Sequence, residues 1–599
     1  MSLPPRRPAP ASRARRLGPR VLAGLATGLV ATVLAAGCSG GSTAGDTTAS
    51  LGASDQPGGS VTALSLGPVP SWDPQRIGSR SDAAFAERTF LRTLTAYQPS
   101  TSSGGQASLV GDLATSTGTP SSDLMTWTFT LRQGVTWQDG SPVTCGDVAY
   151  GISRTFATSE ITGGDTDALA VLDIPKQLDG SSTYAGPYAT GKDAAAGQAA
   201  FDKAITCDGS NITFHLAKPT SDFNEMLTMP AFAPYKQSAD RGADGTYTVF
   251  SDGPYELKGD WVSGTGGTFV RNGAWKSSSD PIRKAYPDQI HYEEGMEPQT
   301  VAQDVMADTG SGRSSVELDS APPAIQQHIS TLADLRNRSV NPATGLIEYL
   351  VPNYKSAVFA NPDVRKALAL ATNRDAYVTA LGGDSAARPA TSLIPASLPA
   401  ATGEDPIGGG VRGDPAKAKA LLEQAGVTLP VTIRVAYRSS DSVDKAMASL
   451  VQGWTEAGFK PVLQPILDNY FTVIAGPERA TQTDLFWSNW APQWASASTI
   501  LPPLFDSTIN LTSAGPGRDY GYFADTSVTT QMGQISRIAD RAEREKAWGS
   551  LDASLRGQGA YIALAERRAM YVAGADIRNF TADEILGGSI DFGVIAVHQ

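Results

Sequence analysis

Between Trp127 and Arg154 the chain reads WTFTLRQGVTWQDGSPVTCGDVAYGISR, and strand, turn and helix signals follow one another there without a gap. Trp127, Phe129 and Leu131 alternate with Thr128 and Thr130, the period of a strand with one buried face. Gln138-Asp139-Gly140-Ser141-Pro142 supplies turn chemistry. Thr144 then offers a side-chain oxygen to the open amides of a helix start, and Asp147 stands three residues on, as a capping box requires. Val148, Ile152 and Phe156 continue one apolar helical face. A chain carrying this block must fold as a mixture of packed strands and helices, which excludes a helical bundle.

The same alternation of strand and helix signals runs through the rest of the chain. Asn361 caps a helix whose first position is Pro362, where a missing amide costs nothing, and Val364, Leu368 and Ala371 form its stripe. Asp414-Pro415 repeats the device, with Gly426 as a left-handed stop. Val431 to Val435, a helix over Ala446 to Ala457, and Lys460 to Leu463 predict a parallel βαβ unit. The 599 residues exceed what one hydrophobic core supports, so at least two lobes are expected.

Residues 1–20 hold six arginines and no acid, and Val21 to Ala36 is a run without charge. This is the pattern of a signal peptide, 1–37, and the run is short of the roughly 20 residues a spanning helix needs. General secretion is the expected route, because Gly18 and Pro19 follow Arg15-Arg16 where twin-arginine export favours a large apolar pair. Leu34-Ala35-Ala36-Gly37-Cys38 resembles a bacterial lipobox, which makes Cys38 the lipidated residue and the extracytoplasmic face of the cell membrane the expected location. From Cys38 to Ser60 small and polar residues dominate, the composition of a flexible tether.

Loss of the six leader arginines takes the net charge from −12 to −18, which argues against nucleic acid as a partner. The two cysteines beyond Cys38 are Cys145 and Cys207, and an exported chain with an even pair is expected to join them. Chemistry is poorly represented. His215, His291, His328 and His598 stand apart with no metal spacing, and neither a Gly-x-Ser-x-Gly elbow nor a phosphate loop is present. Glu293 and Glu294 are adjacent on a strand and point to opposite faces. The expectation is a binding protein without cofactor, monomeric, and not an enzyme.

The block from Trp127 to Arg154 resembles the signature of the family 5 solute-binding proteins of ABC importers, the peptide, dipeptide and nickel group. The similarity continues at Leu66 to Pro74, Leu109 to Ala114, Gly253-Pro254-Tyr255 with Arg271-Asn272 and Trp275, and Asp363 to Ala371. It is loose over Asp165 to Gly197 and Asp308 to Asn341. The resemblance implies a two-lobed α/β periplasmic-binding-protein-like fold with the ligand cleft between the lobes. It places lobe I at 61–348 with an inserted subdomain at about 106–225, lobe II at 349–545, and a C-terminal return to lobe I at 546–599. It implies capture of a small solute, an oligopeptide first, and its delivery to permease subunits.

The aromatic segment Asp484 to Trp494 is similar to the family's ligand loop, with Trp490 and Trp494 in its aromatic places and Trp487 either ligand-facing or core. Where relatives carry an aspartate that pairs with a peptide's ammonium, this chain has Gln493. An amide provides no opposite charge, so a peptide held otherwise, a sugar-like molecule or a metal complex stays open, as does a receptor or chaperone that keeps the fold without transport. Ser79 and Arg80 fall in a cleft-facing segment of the family, where Arg80 would meet a carboxylate or phosphate. Asn353 lies where the chain passes between lobes and would bond either ligand or backbone.

Overall fold

The computed structural model describes residue 49 and residues 51–513 and 515–598. Cys38 and the segment read as a signal peptide lie outside them. Three sheets organise the described chain. The first has five strands, in the order Ser315–Glu317, Ser60–Leu64, Gln289–Glu293, Gly266–Arg271 and Tyr255–Val262. Its first three strands are parallel, and the last two form an antiparallel hairpin bearing the Gly253-Pro254-Tyr255 and Arg271-Asn272 motifs. Trp72 sits at the centre of the core beneath, with Phe85, Phe90, Trp261 and Tyr292 ring centroids 5.3–5.6 Å away. Such edge-on ring contacts add to the area that aromatic side chains bury.

The second sheet is antiparallel, ordered Thr119–Pro120, Thr126–Thr130, Asn211–His215 and Ile205–Asp208, all within the span expected above for an inserted subdomain. Trp127 and Phe129 point inward as their alternation requires, at 3% and 1% exposure. The helix Cys145–Arg154 starts at Thr144 with both halves of the capping box made, Asp147 N–H donating to Thr144 Oγ1 at 3.2 Å and Thr144 N–H to Asp147 Oδ2 at 2.9 Å. Val148 and Ile152 are fully buried beneath it. Cys145 and Cys207 are joined, their Cα atoms 5.9 Å apart, which ties this helix start to the edge strand.

The last residue of that helix connects two pieces of the sequence signature. Arg154 donates to both oxygens of Asp73, at 2.7 and 2.6 Å, and to Gln75 Oε1 at 2.6 Å. Its plane lies 3.7 Å over the Tyr235 ring. Asp73 also caps the turn at Pro74–Arg76, so one fully buried pair holds the subdomain against the first sheet.

The third sheet has six strands, ordered Ala387–Pro389, Ile562–Arg568, Ala343–Pro352, Leu485–Trp490, Val431–Arg438 and Phe459–Ile466. The predicted βαβ unit is present: the strands from Val431 and Phe459 run parallel, joined by the helix Asp441–Glu456. That helix starts five residues earlier than its apolar pattern suggests, because Ser440 supplies the cap. Asn361 and Asp414 cap the helices Pro362–Ala371 and Pro415–Gln424 as expected.

Two boundaries drawn from the sequence differ from this pairing. Position 349 falls inside the strand Ala343–Pro352, and Ile562–Arg568, assigned above to the return into lobe I, pairs with that strand in the third sheet. A fully buried apolar strand carries no mark of which sheet it will join. The chain passes back toward the first lobe at Tyr571–Val572, which pairs with Ser339–Val340. The end of the tether also differs. Ala49 N–H donates to Phe580 O at 3.0 Å, Asn579 N–H to Gly52 O at 3.1 Å, and Gly58 N–H to Tyr286 O at 2.8 Å, so residue 49 and the stretch 52–58 are bonded to the body. Backbone groups need partners whatever the side chains, and Asn579 provides them through its amide as well.

Candidate functional site

The strand Leu485–Trp490 ends where the third sheet faces the first, and two adjoining cavities open at that end. One, of about 200 Å³, is walled by Ser79, Arg80 and Glu87 from the first lobe, Asp165 from the inserted subdomain, Pro492 and Gln493 after the strand, and Ile585 from the C-terminal segment. The other, of about 350 Å³, is walled by Phe471, Ser488, Trp490, Gln493, Arg518 and Tyr520. Gln493 and Ala491 line both, so the loop after the strand divides one continuous cleft. The larger cavity alone is in the range of small-molecule sites, ~300–1,000 Å³.

Strand geometry sorts the tryptophans. Trp487 and Trp490 are three apart and therefore on opposite faces. Trp487 is 2% exposed, donates from Nε1 to Tyr377 Oη at 3.1 Å, and belongs to the core of the third sheet. Trp490 is half-buried at the cavity wall, with Nε1 held by Thr499 O at 2.8 Å and the Arg518 guanidinium 4.8 Å over its ring. Phe471 and Tyr520 stack 6.0 Å apart beside it. Three rings and one guanidinium make a wall suited to an apolar or planar group with an anionic neighbour.

Trp494 takes a different place from the one its loop position suggests. It is buried, donates from Nε1 to Asp222 Oδ2 at 2.8 Å, and lines neither cavity. Asn353 is fully buried and donates to Ala480 O at 2.8 Å and Thr483 O at 2.7 Å, so of its two expected partners it has the backbone. Asn353 thus ties the start of the strand Leu485–Trp490, the end away from the cavities.

Ser79 lines the smaller cavity and caps the helix Arg80–Thr89, accepting from Asp82 N–H at 3.4 Å. Arg80 lines the same cavity, but its guanidinium is already engaged. It donates to Pro492 O at 2.6 Å and to Ile585 O at 2.7 Å, and burial lowers its pKa from the ordinary arginine value. Arg80 thus clamps the loop after the strand Leu485–Trp490 to the first lobe. Burial pushes the carboxyl of Glu87, on the same helix, up to about 8, against the pull of Arg88 and Arg283.

Sequence reasoning missed Asp165, Arg518, Phe471 and Tyr520. Gln493 Nε2 donates to Asp165 Oδ1 at 3.4 Å across the cleft. Burial and the nearby Asp167 push the Asp165 carboxyl up to about 6, while Arg518 and Gln493 pull it down. No local pattern marks these residues; the adjacent acids Asp165 and Asp167 in a segment of loose similarity were the one available sign.

Residues 108–511 match the family model described as bacterial extracellular solute-binding proteins, family 5 Middle. The chain belongs to that family. Members with curated names include the glutathione-binding protein GsiB of Salmonella paratyphi A, 26% identical over 409 residues, 65% of this chain and 68% of the relative. GsiB of Pectobacterium atrosepticum is 22% identical over 467 residues, 75% and 78% of the two chains. Among solved structures, clavulanic acid biosynthesis oligopeptide binding protein 2 superposes with a TM-score of 0.80 at 24% identity, covering 93% of this chain and 99% of its own. The murein tripeptide binding protein MppA, in its unliganded open form, gives 0.71 at 18%, covering 92% and 98%. DppA of Helicobacter pylori, in complex with the peptide STSA, gives 0.61 at 16%, covering 91% and 99%. The fold is therefore the two-lobed α/β architecture of family 5, and the cavities lie where its lobes face each other. Among the described residues no helix is long and apolar enough to cross a membrane, and no group of three or more His, Cys, Asp or Glu is placed to hold a metal ion.

Proposed function

We propose that this family 5 protein is a lipid-anchored receptor that captures a peptide-like solute in the cleft at Trp490 and Gln493 and delivers it to the permease of an ABC importer. The observation that carries this reading is the cleft itself, walled by both lobes and divided by the one loop that ends the strand Leu485–Trp490. A ligand bridging the two walls gains contacts only when the lobes are together, which is how hinge closure is driven. The names of relatives that bind glutathione, murein tripeptide or the peptide STSA favour a short peptide over a sugar or a metal complex.

Native mass spectrometry of the purified mature protein, with and without a pool of tripeptides, tests the reading. A co-purified or added peptide is the expected species; retention of a sugar or a metal complex instead would replace the peptide assignment. The Trp490→Ala variant is expected to weaken peptide binding by about 1–3 kcal/mol in calorimetry, roughly 5- to 150-fold, with little change in fold because the ring lies at the cavity wall. Unchanged affinity would remove Trp490 from the site. The anchor is tested separately. Cys38→Ala is expected to shift the protein from the membrane fraction to the medium, since one acylated thiol carries the attachment. Continued membrane association of that variant, with its leader cleaved, would end the lipoprotein assignment.

A further inference from the structure

Two carboxyls stand on the wall of the smaller cavity, Glu87 and Asp165, and Asp165 is the one that faces the loop after the strand, at Gln493. Of the other ionisable groups on that wall, Arg80 is held by two backbone carbonyls, and burial pushes the Glu87 carboxyl up to about 8. Tyr97 is buried, and its hydroxyl is tied to Glu225 Oε2 and to the Ala495 N–H. Asp165 is half-buried, and the neutral Gln493 amide donates to it over a long 3.4 Å. Asp167 stands close behind, with Oδ2 buried and lacking a hydrogen-bond partner among the described residues. Arg518 faces both carboxylates, and Lys218 faces Asp167. A carboxylate desolvated this far gains from a compact cation that brings its own donors.

We infer that Asp165 is the specificity-determining residue that receives the ligand's ammonium group, with the Gln493 amide as its neutral neighbour. This rests on the reading of the cleft as a peptide site. The ammonium donates to Asp165 Oδ1 and to the side-chain oxygen of Gln493, whose own amide turns from Asp165 to make room. The rest of the ligand then extends past the dividing loop toward Trp490, Tyr520 and Arg518, where a guanidinium is placed to meet a carboxylate. Charge comes from the inserted subdomain and the aromatic wall from the second lobe, so an ammonium-bearing ligand holds the two together. An N-blocked peptide lacks that link and leaves Asp165 with Arg518 as its neighbour of opposite charge.

The experiment uses the mature chain, a pool of free-amine tripeptides and the same pool N-acetylated, with retention read by native mass spectrometry and affinity of retained members by calorimetry. Expected is retention of free-amine members, about a ten- to hundredfold loss for Asp165→Asn, and recovery of most of it in Asp165→Glu, which keeps the charge. Thermal melting of both variants separates a binding loss from a folding loss, and an Asp165→Asn variant that melts early is replaced by the comparison of the wild type with Asp165→Glu across the two pools. Equal retention of both pools by the wild type would overturn the ammonium subsite and leave the peptide receptor standing. A free-amine preference that survives Asp165→Asn would overturn the role of Asp165. Retention of neither pool would overturn the peptide reading, and this inference with it.

Discussion

Replacement of Arg154 by methionine is expected to cost about 3–5 kcal/mol, because it removes both short bonds to the buried Asp73 carboxylate and leaves it the longer 3.3 Å contact with Arg76 Nε. The pair is fully enclosed, so water cannot enter to solvate the remaining charge, and Asp240, Tyr150 and Tyr188 on the far side of the guanidinium lose their shared centre as well. The double variant Asp73→Asn/Arg154→Met is expected to recover part of the loss, since position 73 then carries no charge, while Asp240 still lacks Arg154. Urea midpoints of the three variants, followed by circular dichroism and by tryptophan fluorescence, check this. A single variant within about 1 kcal/mol of the wild type would show that the pair is not what holds the inserted subdomain against the first sheet.

Removing the Cys145–Cys207 bridge by a double serine substitution is expected to cost about 4 kcal/mol within the inserted subdomain, given a sequence separation of 62 residues. The mechanism is mostly an effect on the unfolded chain, where the link shortens the loop that must otherwise be ordered. Released, the edge strand Ile205–Asp208 and the helix Ala194–Ala204 lose their tie to the helix start at Cys145. The first sheet and the third are joined by other contacts, so hydrogen exchange should rise between residues 145 and 215 before it rises elsewhere. A uniform rise across the chain, or peptide mapping that finds two free thiols in the wild type, would contradict this account.

Both effects start from residues that the sequence already singled out, and they show why some features were legible there. Thr144 with Asp147, Asn361 with Pro362, and Asp414 with Pro415 act through hydrogen bonds two or three residues away, so the pattern that predicts each cap contains both partners. Trp127 and Phe129 needed only the period of a strand, and the parallel unit from Val431 to Ile466 only its order of elements. The cysteine pair followed from there being two of them.

The cleft belongs to another class of information. Arg80 meets Pro492 across 412 residues and Ile585 across 505, Trp494 meets Asp222 across 272, and Gln493 meets Asp165 across 328. No periodicity or cap records such a pairing, because each partner is chosen by how sheets and subdomain pack and not by its neighbours in the chain. By itself the sequence determined the elements, their caps, the disulfide and the family. Only the tertiary structure decided that Trp487 and Trp494 are internal while Trp490 faces the cleft, that Ile562–Arg568 completes the third sheet, and that the carboxylate nearest Gln493 comes from Asp165. Local structure is set by atoms within a turn or two of each other, whereas a binding site is assembled from strand ends and loops that meet only once the hydrophobic faces have been buried.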